Sequence, residues 1–452
     1  MISYFSKNEK DNLQFCESFK ELKVARNLKA ANITKASSPN NNQNLSALAI
    51  FSFLSSLVFQ GMTLYRFLNS KYGKDNHSKN AYYRFLGNAH YNWEKFLLLL
   101  AGTLISKLHQ LTCAKRVNVF IVDDSVISKK RSKTMELMAR LYDHVEHRYD
   151  KGFSLVTLGW SDGFSLVPVA FNLLSSAKKC NRYNDSKDFD KRSLAYRRRQ
   201  KSIMTKTDAT IELIEKALHQ GIQADYVLMD TWFTHEPLIQ RLLDLGLDTI
   251  GMVKQLKQTY IWQEKTFTLP QLRRQVKLDK HKEVAGEIYV TTKNGVPVKI
   301  VFLRNRNKKS EFLYLLTTDT SLTKEEVVRL YGNRWKIEVF FKTSKSFLKL
   351  GKEYQSPNYD NLVAHTTIVF TRYILLEWLR RKEQDDRTYG DLFFLMSQEV
   401  QDLPFEEALR QLLTLFSELI DQMTQKESIL CQLKQWIDQQ SLFIKSLALE
   451  FN

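Results

Sequence analysis

The stretch Val117-Asn118-Val119-Phe120-Ile121-Val122-Asp123-Asp124 marks the point where the chain changes from helical to extended patterning. A run of β-branched and aromatic residues is typical of a buried strand. Two aspartates follow the run directly. We therefore predict that this strand opens an α/β domain and that Asp123 and Asp124 lie at its end.

The segments after this strand alternate between extended and helical patterns. Strands are predicted at 153–160, 165–171, 226–229 and 248–253, and helices at 207–219 and 235–245. A turn signal, Ser161-Asp162-Gly163, joins the second and third strands, and Gly221 follows the first helix as a C-terminal cap. Three strands, then helix, strand, helix and strand is the order of the ribonuclease H-like core, which is the α/β fold that we predict.

Residues 254–319 interrupt this order. Segments 287–293 and 296–304 are extended in pattern, and Asn294-Gly295 lies between them. An Asn-Gly pair between two strands is the strongest short-range hairpin signal. With a further strand at 311–317, the sequence predicts a small antiparallel β insertion that divides the ribonuclease H-like core into residues 113–253 and 320–380.

The two ends of the chain are predicted to be helical. Residues 1–112 carry interleaved basic and aromatic side chains and are predicted to be a DNA-binding region, although an ordinary solvated helix face would look the same. Residues 381–452 include an apolar stripe that needs a partner, either within the chain or on a second subunit. Long helices are predicted at 93–111, 324–350 and 363–379.

The composition narrows the possible functions. The chain has 452 residues and a formal net charge of +18, which favours a polyanionic partner such as nucleic acid. The sequence contains only 15 glycines and 7 prolines. This low content excludes collagen and argues against a turn-dense all-β fold. The four cysteines are far apart, so a reducing cytoplasm is expected. The longest apolar run, 45–59, is shorter than the ~20 residues that span a bilayer and is predicted to be a buried helix.

Three aspartates are candidates for metal-dependent chemistry. Two divalent ions can activate a nucleophile and stabilise the leaving oxygen during phosphodiester cleavage. Mg²⁺ prefers hard oxygen ligands and keeps several waters, so about three carboxylates suffice. Asp123 and Asp124 follow the first strand, and Asp230 follows the strand at 226–229. The alternative for each is an ordinary turn or helix-cap aspartate.

A polar stripe supplies the other candidates. Tyr331, Arg334, Glu338 and Lys345 follow a spacing of three, four and seven residues. At about 100° per residue, all four fall on one side of an otherwise apolar helix. Such a stripe must face a polar cleft or pair internally, and Arg334 and Glu338 also have the spacing of an i,i+4 salt bridge.

These blocks resemble the transposases of the IS-four family of bacterial insertion sequences, which are Asp-Asp-Glu recombinases. The family signature Y-x2-R-x3-E-x6-K is matched by the four residues of the stripe. The family has two further blocks. One is an aspartate followed by a residue with a small hydroxyl side chain, which Asp124-Ser125 matches. The other is an aspartate before an aromatic residue, which Asp230 matches in Asp230-Thr231-Trp232-Phe233. A β insertion before the glutamate is also a family trait, and the resemblance covers roughly residues 115–375.

The resemblance implies the following assignments. Asp124, Asp230 and Glu338 would be catalytic and would bind two Mg²⁺ ions, for which Mn²⁺ can substitute. Tyr331, Arg334 and Lys345 would contact DNA phosphates. Asp123 remains an alternative to Asp124 as the first ligand.

The implied reaction is cut-and-paste transposition. The enzyme would excise an insertion sequence at its terminal inverted repeats in double-stranded DNA and join the ends to target DNA. A homodimer on DNA, a cytoplasmic and nucleoid-associated location, and no membrane partner are expected. A ribonuclease H-like nuclease that cuts without joining, and a non-catalytic DNA-binding protein derived from a transposase, are the alternatives.

Overall fold

The computed structural model describes most of the chain. The described residues are 14–36, 45–70, 79–112, 116–143, 147–254, 258–279, 281–305, 311–354, 356–382 and 387–398, with Cys431 and Gln435. The apolar stripe predicted within residues 381–452 lies outside these residues, as does part of the basic and aromatic stretch near residue 75. The fold is mixed α/β.

The N-terminal part is helical where it is described. Its elements are α1 (Gln14–Glu21), α2 (Val24–Ala30), β1 (Lys35–Ala36), β2 (Leu45–Ser46), α3 (Ala47–Ser56), α4 (Leu64–Leu68), α5 (Lys79–Leu86) and α6 (Trp93–Leu111). The helix predicted at 93–111 is confirmed, and its N-terminus is capped by the Asn92 side chain, which accepts a hydrogen bond from the Lys95 amide. Of the apolar run at 45–59, which was predicted to be a buried helix, residues Ala47–Ser56 form the mostly buried helix α3, and Leu45–Ser46 form β2.

The central part of the chain forms the sheet that carries the candidate site. Its elements are β3 (Val119–Ser128), β4 (Ala139–Asp143), β5 (Arg148–Ser161), β6 (Leu166–Leu174), α7 (Leu194–Ser202), α8 (Lys206–His219), β7 (Tyr226–Met229), α9 (Glu236–Asp244) and β8 (Asp248–Val253). The sheet runs in the order β6-β5-β3-β7-β8. β3, β7 and β8 are parallel, whereas β5 is antiparallel to both β3 and β6. The predicted strands and helices of this part are present, and β4 and α7 are additional.

The prediction that Asp123 and Asp124 end the first strand is wrong. β3 continues to Ser128 because β5 pairs with it along its whole length, from Val119 opposite Ser161 to Ser128 opposite Gly152. The parallel partner β7 pairs with β3 only as far as Val122. The two aspartates therefore lie inside β3, at the point where β3 loses its neighbour on one side.

The insertion extends the same sheet. Its elements are β9 (Thr259–Trp262), β10 (Lys265–Thr268), α10 (Leu269–Gln275), β11 (Val284–Thr292), β12 (Pro297–Arg304) and β13 (Phe312–Thr317). The predicted hairpin is confirmed: β11 and β12 are antiparallel, and Gly295 between them has a φ of +91° that favours glycine. β13 pairs with β8, so these strands and the central strands form one sheet of eleven strands in the described part of the chain.

The helix predicted at 324–350 is interrupted. It consists of α11 (Lys324–Tyr331), a 3-10 turn (Gly332–Arg334) and α12 (Trp335–Ser346). The turn begins at glycine, which has a low helix propensity. The C-terminal end comes before Leu350 because the chain turns at Lys349, whose φ is +60°.

The last long helix, α13 (Tyr359–Lys382), passes through the interior. Its length and hydropathy would suit a membrane span, but all of its most apolar 18-residue stretch is buried inside the protein. Its charged side chains are paired: Asp360 accepts from Arg198 and Arg199, and Arg372 donates to Glu353. Paired charges are what a helix in a protein core requires, so α13 is a core helix.

Candidate active site

A cleft of about 600 Å³ opens where β3 extends beyond the end of β7. Its walls come from β3, the β4–β5 hairpin, the start of α8, the loop after β7 and the end of α12. The lining residues are Asp123, Asp124, Ser125, Val126, Leu141, Tyr142, Ser154, Lys206, Asp230, Thr231, Trp232, Lys254 and Lys345. Three of the carboxylates that the sequence singled out, Asp123, Asp124 and Asp230, therefore share one cleft.

Asp123 contacts α12 through an arginine. Its Oδ2 atom lies 3.2 Å from Nη1 of Arg334. Burial raises the pKa of the Asp123 carboxyl to about 7; Arg334 opposes this rise, and the negative charge of Asp230 adds to it. Asp123 is thus close enough to both Arg334 and Asp230 for their charges to change the pKa of its carboxyl group.

Asp124 has different partners because successive side chains of a strand point to opposite faces. Its Oδ2 atom accepts hydrogen bonds from Nζ of Lys206 at 2.7 Å and from Oγ of Ser154 at 2.9 Å. Lys206 is the first residue of α8, and Ser154 lies on β5. Asp124 is therefore held by the sheet and by the start of α8.

Asp230 follows β7 directly and organises the loop there. Its Oδ1 atom accepts from the backbone amides of Trp232 and Phe233 at 2.9 and 3.1 Å. Its carbonyl oxygen accepts from the hydroxyl of Thr234 at 2.6 Å. Asp230 thus acts as a turn aspartate through one carboxylate oxygen, while the cleft is open to its side chain.

The polar stripe lies against the acidic strand. Arg334 donates to Glu338 as well as to Asp123, so the i,i+4 salt bridge that the spacing allowed is formed and extends to the sheet. Glu338 does not line the cleft; it is connected to it through Arg334. Lys345 donates to Oγ of Ser125 at 2.7 Å, beside Asp124. Tyr331 packs near Arg334, with 5.9 Å between the guanidinium carbon and the ring centroid.

The carboxylate oxygens in the cleft are suitable ligands for a hard cation, but two of the three carboxylates form ion pairs with basic side chains of the protein. Asp123, Asp124 and Asp230 offer the carboxylate oxygens that Mg²⁺ prefers. Arg334 and Lys206 are ion-paired with Asp123 and Asp124. Among the described residues, no group of three or more His, Cys, Asp or Glu side chains is arranged to hold a metal ion. Metal binding by this set would require Arg334 and Lys206 to move.

Several residues of the cleft were not predicted from the sequence, among them Lys206, Ser154 and Trp232. Lys206 and Ser154 bind Asp124, but no spacing rule connects either of them to β3. Trp232 lies within the quoted Asp-Thr-Trp-Phe block and is 43 % exposed, with the Lys206 ammonium 4.5 Å from its ring centroid. Its position two residues after Asp230 was the signal available for it.

The cleft lies on a mixed sheet and is lined by three aspartates and by three lysines, Lys206, Lys254 and Lys345. The family described as DDE superfamily endonuclease matches residues 59–296, more than half of the chain. The chain belongs to this family, which supports a transposase-type or nuclease-type function. The matched range includes all three aspartates of the cleft and ends before Glu338. No curated protein matches the chain.

Proposed function

We propose that the protein is a DNA transposase of the IS-four type that excises an insertion sequence and joins it to target DNA. The observation that carries the proposal is the shared cleft of Asp123, Asp124 and Asp230, beside which lie Arg334 from the 3-10 turn and Glu338 from α12. Membership of the DDE superfamily endonucleases supports cleavage of nucleic acid. The strand-transfer step rests on the resemblance of the sequence blocks.

The strand arrangement supports a ribonuclease H-like core. Numbered from β3, the five central strands run 3-2-1-4-5 across the sheet, with the first three antiparallel and the last two parallel to the first. In open α/β sheets, ligands bind outside the carboxyl ends of the strands, where the strand order reverses. The cleft lies at such a place, because β7 ends beside Asp123.

The proposed metal ligands are Asp124, Asp230 and Glu338, with Asp123 as the alternative to Asp124. Two Mg²⁺ ions bound there would activate water or a 3′-hydroxyl and stabilise the leaving oxygen. Asp230 is already oriented by two backbone amides. Glu338 would be released to the cleft when Arg334 turns away from it.

The proposed partner is double-stranded DNA, at the terminal repeats and at the target site. Tyr331, Arg334 and Lys345 would bind backbone phosphates, and a phosphate is the anion that could attract Arg334 from Asp123. The net charge of +18 supports a polyanionic partner. A homodimer on DNA and a cytoplasmic, nucleoid-associated location belong to the same proposal.

The test is excision from a donor plasmid with Asp230→Ala and Glu338→Ala. Both variants should lose excision, because each would lack a metal ligand. The matched control is Glu325→Ala, which removes an exposed carboxylate from α11 and should excise normally. Undiminished excision by both site variants would refute the assignment.

A nuclease that cuts without joining is a second candidate. It is favoured by the range of the family match, which leaves Glu338 and the rest of the polar stripe outside. Incubating a pre-cut transposon end that carries a 3′-hydroxyl with supercoiled target separates the two activities. Joined products would exclude the simple nuclease, whereas cleavage without joining would exclude the transposase.

A non-catalytic DNA-binding protein is a third candidate. It is favoured by the ion pairs that now occupy the carboxylates, since Arg334 is paired with both Asp123 and Glu338. Titration with Mn²⁺ in the presence of DNA decides this point. If Mn²⁺ does not bind specifically, the result would support the non-catalytic DNA-binding protein and exclude both the transposase and the metal-dependent nuclease.

A further inference from the structure

A basic and aromatic surface adjoins the cleft on the β4–β5 hairpin. It consists of Arg140 and Tyr142 on β4, Tyr149 and Lys151 on β5, and Tyr183 from the segment that bridges to β4. We call these five residues the hairpin face. All five are exposed, with Tyr142, Tyr149 and Tyr183 at 41, 60 and 45 %. Exposed rings grouped with cations point to a ligand that has both phosphates and flat rings.

The register of the hairpin puts like charges next to each other. Arg140 pairs directly with Lys151, and Tyr142 pairs directly with Tyr149. Two cations directly opposite each other on adjacent strands destabilise a sheet. A bound anion would relieve this repulsion, so the arrangement fits a surface that is neutralised by a partner.

The rings are prearranged by these cations and by each other. The Arg140 guanidinium lies 3.9 Å from the centroid of the Tyr149 ring, and the Lys151 ammonium lies 4.5 Å from the centroid of Tyr183. The Tyr142 and Tyr149 rings meet edge to face at 5.3 Å. A second ring can therefore stack on Tyr149 without first ordering a mobile side chain, which lowers the entropy cost of binding.

The hairpin face adjoins the cleft on one side and a separate, basic cavity on the other. Tyr142 lines the cleft, and its ring partner Tyr149 lines a neighbouring hollow of about 260 Å³ together with Lys130. Lys130 also lines a cavity of about 790 Å³ that contains Lys129, Arg131, Lys133 and Lys352. Asp150 also lines the smaller hollow, is buried and lies 3.4 Å from Lys130. Exposed aromatic rings therefore lie between the cleft and a cavity that is lined by five lysine and arginine side chains.

We propose that the hairpin face binds unpaired nucleotides of a DNA strand that leaves the cleft, with bases stacked on Tyr149 and phosphates on Arg140 and Lys151. Positive grooves with exposed rings bind single strands without sequence preference, because every base has a face that can stack. Duplex DNA keeps its bases stacked on each other and offers the rings no such surface. The proposal rests on DNA being the substrate of the cleft.

The test is fluorescence anisotropy without divalent cations, so that DNA is bound but not cut. The probes are a blunt duplex and the same duplex with an unpaired extension of about eight nucleotides on either strand. We expect one of the extended probes to bind about tenfold more tightly than the blunt duplex. Tyr149→Ala should remove this advantage. The matched control is Tyr289→Ala. Tyr289 is an exposed tyrosine of β11 that lies under Lys299 of β12, and its replacement should leave the tighter binding of the extended probe unchanged.

A charge variant tests the phosphate contacts separately. Arg140→Gln combined with Lys151→Gln should lower the slope of log Kd against log salt concentration for the extended probe by about 1.4. Melting followed by circular dichroism should be unchanged in the two tyrosine variants, because the substituted side chains are exposed. The double charge variant should melt at the same temperature or higher, because it removes the pair of facing cations.

The outcomes separate this proposal from the proposed function. Loss of the extension advantage in Tyr149→Ala alone supports the hairpin face. If the protein binds blunt duplex but gains nothing from an extension, or if Tyr149→Ala keeps the gain, the hairpin face is overturned and the transposase proposal stands. If no DNA probe is bound at all, both proposals are overturned.

Discussion

The guanidinium of Arg334 bridges Asp123 on β3 and Glu338 on α12, with 3.2 Å between its Nη1 atom and Oδ2 of Asp123. One cation therefore joins two elements that are more than two hundred residues apart in the chain. It also occupies oxygens that a metal ion would need. Arg334 and a divalent cation are expected to compete for these carboxylates.

Replacing Arg334 should strengthen metal binding by the free protein. In Arg334→Ala, Asp123 and Glu338 lose their counter-charge, and Mn²⁺ should bind about tenfold more tightly, since a hydrogen bond to a charged group contributes about 1.5–3 kcal/mol. Isothermal titration with Mn²⁺ measures the change. Arg329→Ala removes an exposed arginine from α11 and is the control. Equal affinity in Arg334→Ala and the wild type would mean that Arg334 does not compete.

Isosteric substitution can distinguish the roles of the neighbouring residues Asp123 and Asp124. If Asp124 is the ligand, Asp124→Asn should lower the rate of DNA cleavage by more than ~100-fold, beyond what loss of an outer-shell partner costs. Asp123→Asn should have a smaller effect, because Asp123 would act only by holding Arg334. Cleavage rates on a labelled transposon end are the measurement. The opposite ranking would make Asp123 the ligand.

Local patterns predicted most of the central strands and helices, but not the extent of their pairing. The strand at 226–229 and the helix at 93–111 are predicted with their observed bounds, because the first is an unbroken apolar run and the second carries apolar residues at helical spacing. The length of β3 depends on β5, which lies some thirty residues further along the chain. The strands β9 and β10 are only four residues long, and neither their pairing with each other nor the pairing of β9 with β11 has a local signal.

The same limit applies to the site. The spacing of the stripe predicted that Arg334 and Glu338 could pair, because i,i+4 contacts are local. That Arg334 reaches Asp123, and that Lys206 reaches Asp124, follows from how α12 and α8 pack on the sheet. Long-range packing of this kind is decided by the whole core and leaves no pattern in one segment.

A glycine supports the loop that carries Asp230. A Cβ atom on Gly251 of β8 would lie 2.2 Å from Oγ1 of Thr234, whose hydroxyl holds the Asp230 carbonyl. Gly251→Ala should therefore displace the loop, with a stability loss of about 1–3 kcal/mol and a larger relative loss of cleavage.

The control for this substitution is Gly102→Ala on α6. There the nearest atom to an added Cβ is 4.0 Å away, and alanine should stabilise the helix by about 0.5–1 kcal/mol. Denaturant unfolding and cleavage rates are measured on both variants. Full cleavage by Gly251→Ala would show that the loop adjusts without moving Asp230.

A buried ion pair ties α13 to the helical N-terminal part. Arg372 donates to both carboxylate oxygens of Glu353 and to the carbonyl oxygens of Leu54 and Ser55. Glu353→Ala would leave a buried arginine without its counter-ion, and the free energy of unfolding should fall by about 3–5 kcal/mol. Urea denaturation measures this loss. Exposed Glu325→Ala should change stability by less than ~0.5 kcal/mol, and a comparable loss in both variants would contradict the explanation.

We expect His365 to make the stability of the fold depend on pH. Burial, followed by the charges of Lys129 and Arg372, lowers the pKa of His365 well below its usual value, and its Nε2 atom accepts from the Gly351 amide at 3.0 Å. In the unfolded chain the same imidazole binds a proton near pH ~6.5. The unfolded state therefore binds more protons below that pH, and the contribution of His365 to stability is present above pH ~6.5 and is lost as the pH falls, by up to ~1.4 kcal/mol per pH unit. Urea denaturation between about pH 5 and pH 7.5 should show this slope, and His365→Gln should have a shallower one because its side chain does not titrate. Parallel pH profiles for the two proteins would show that His365 is not the group responsible.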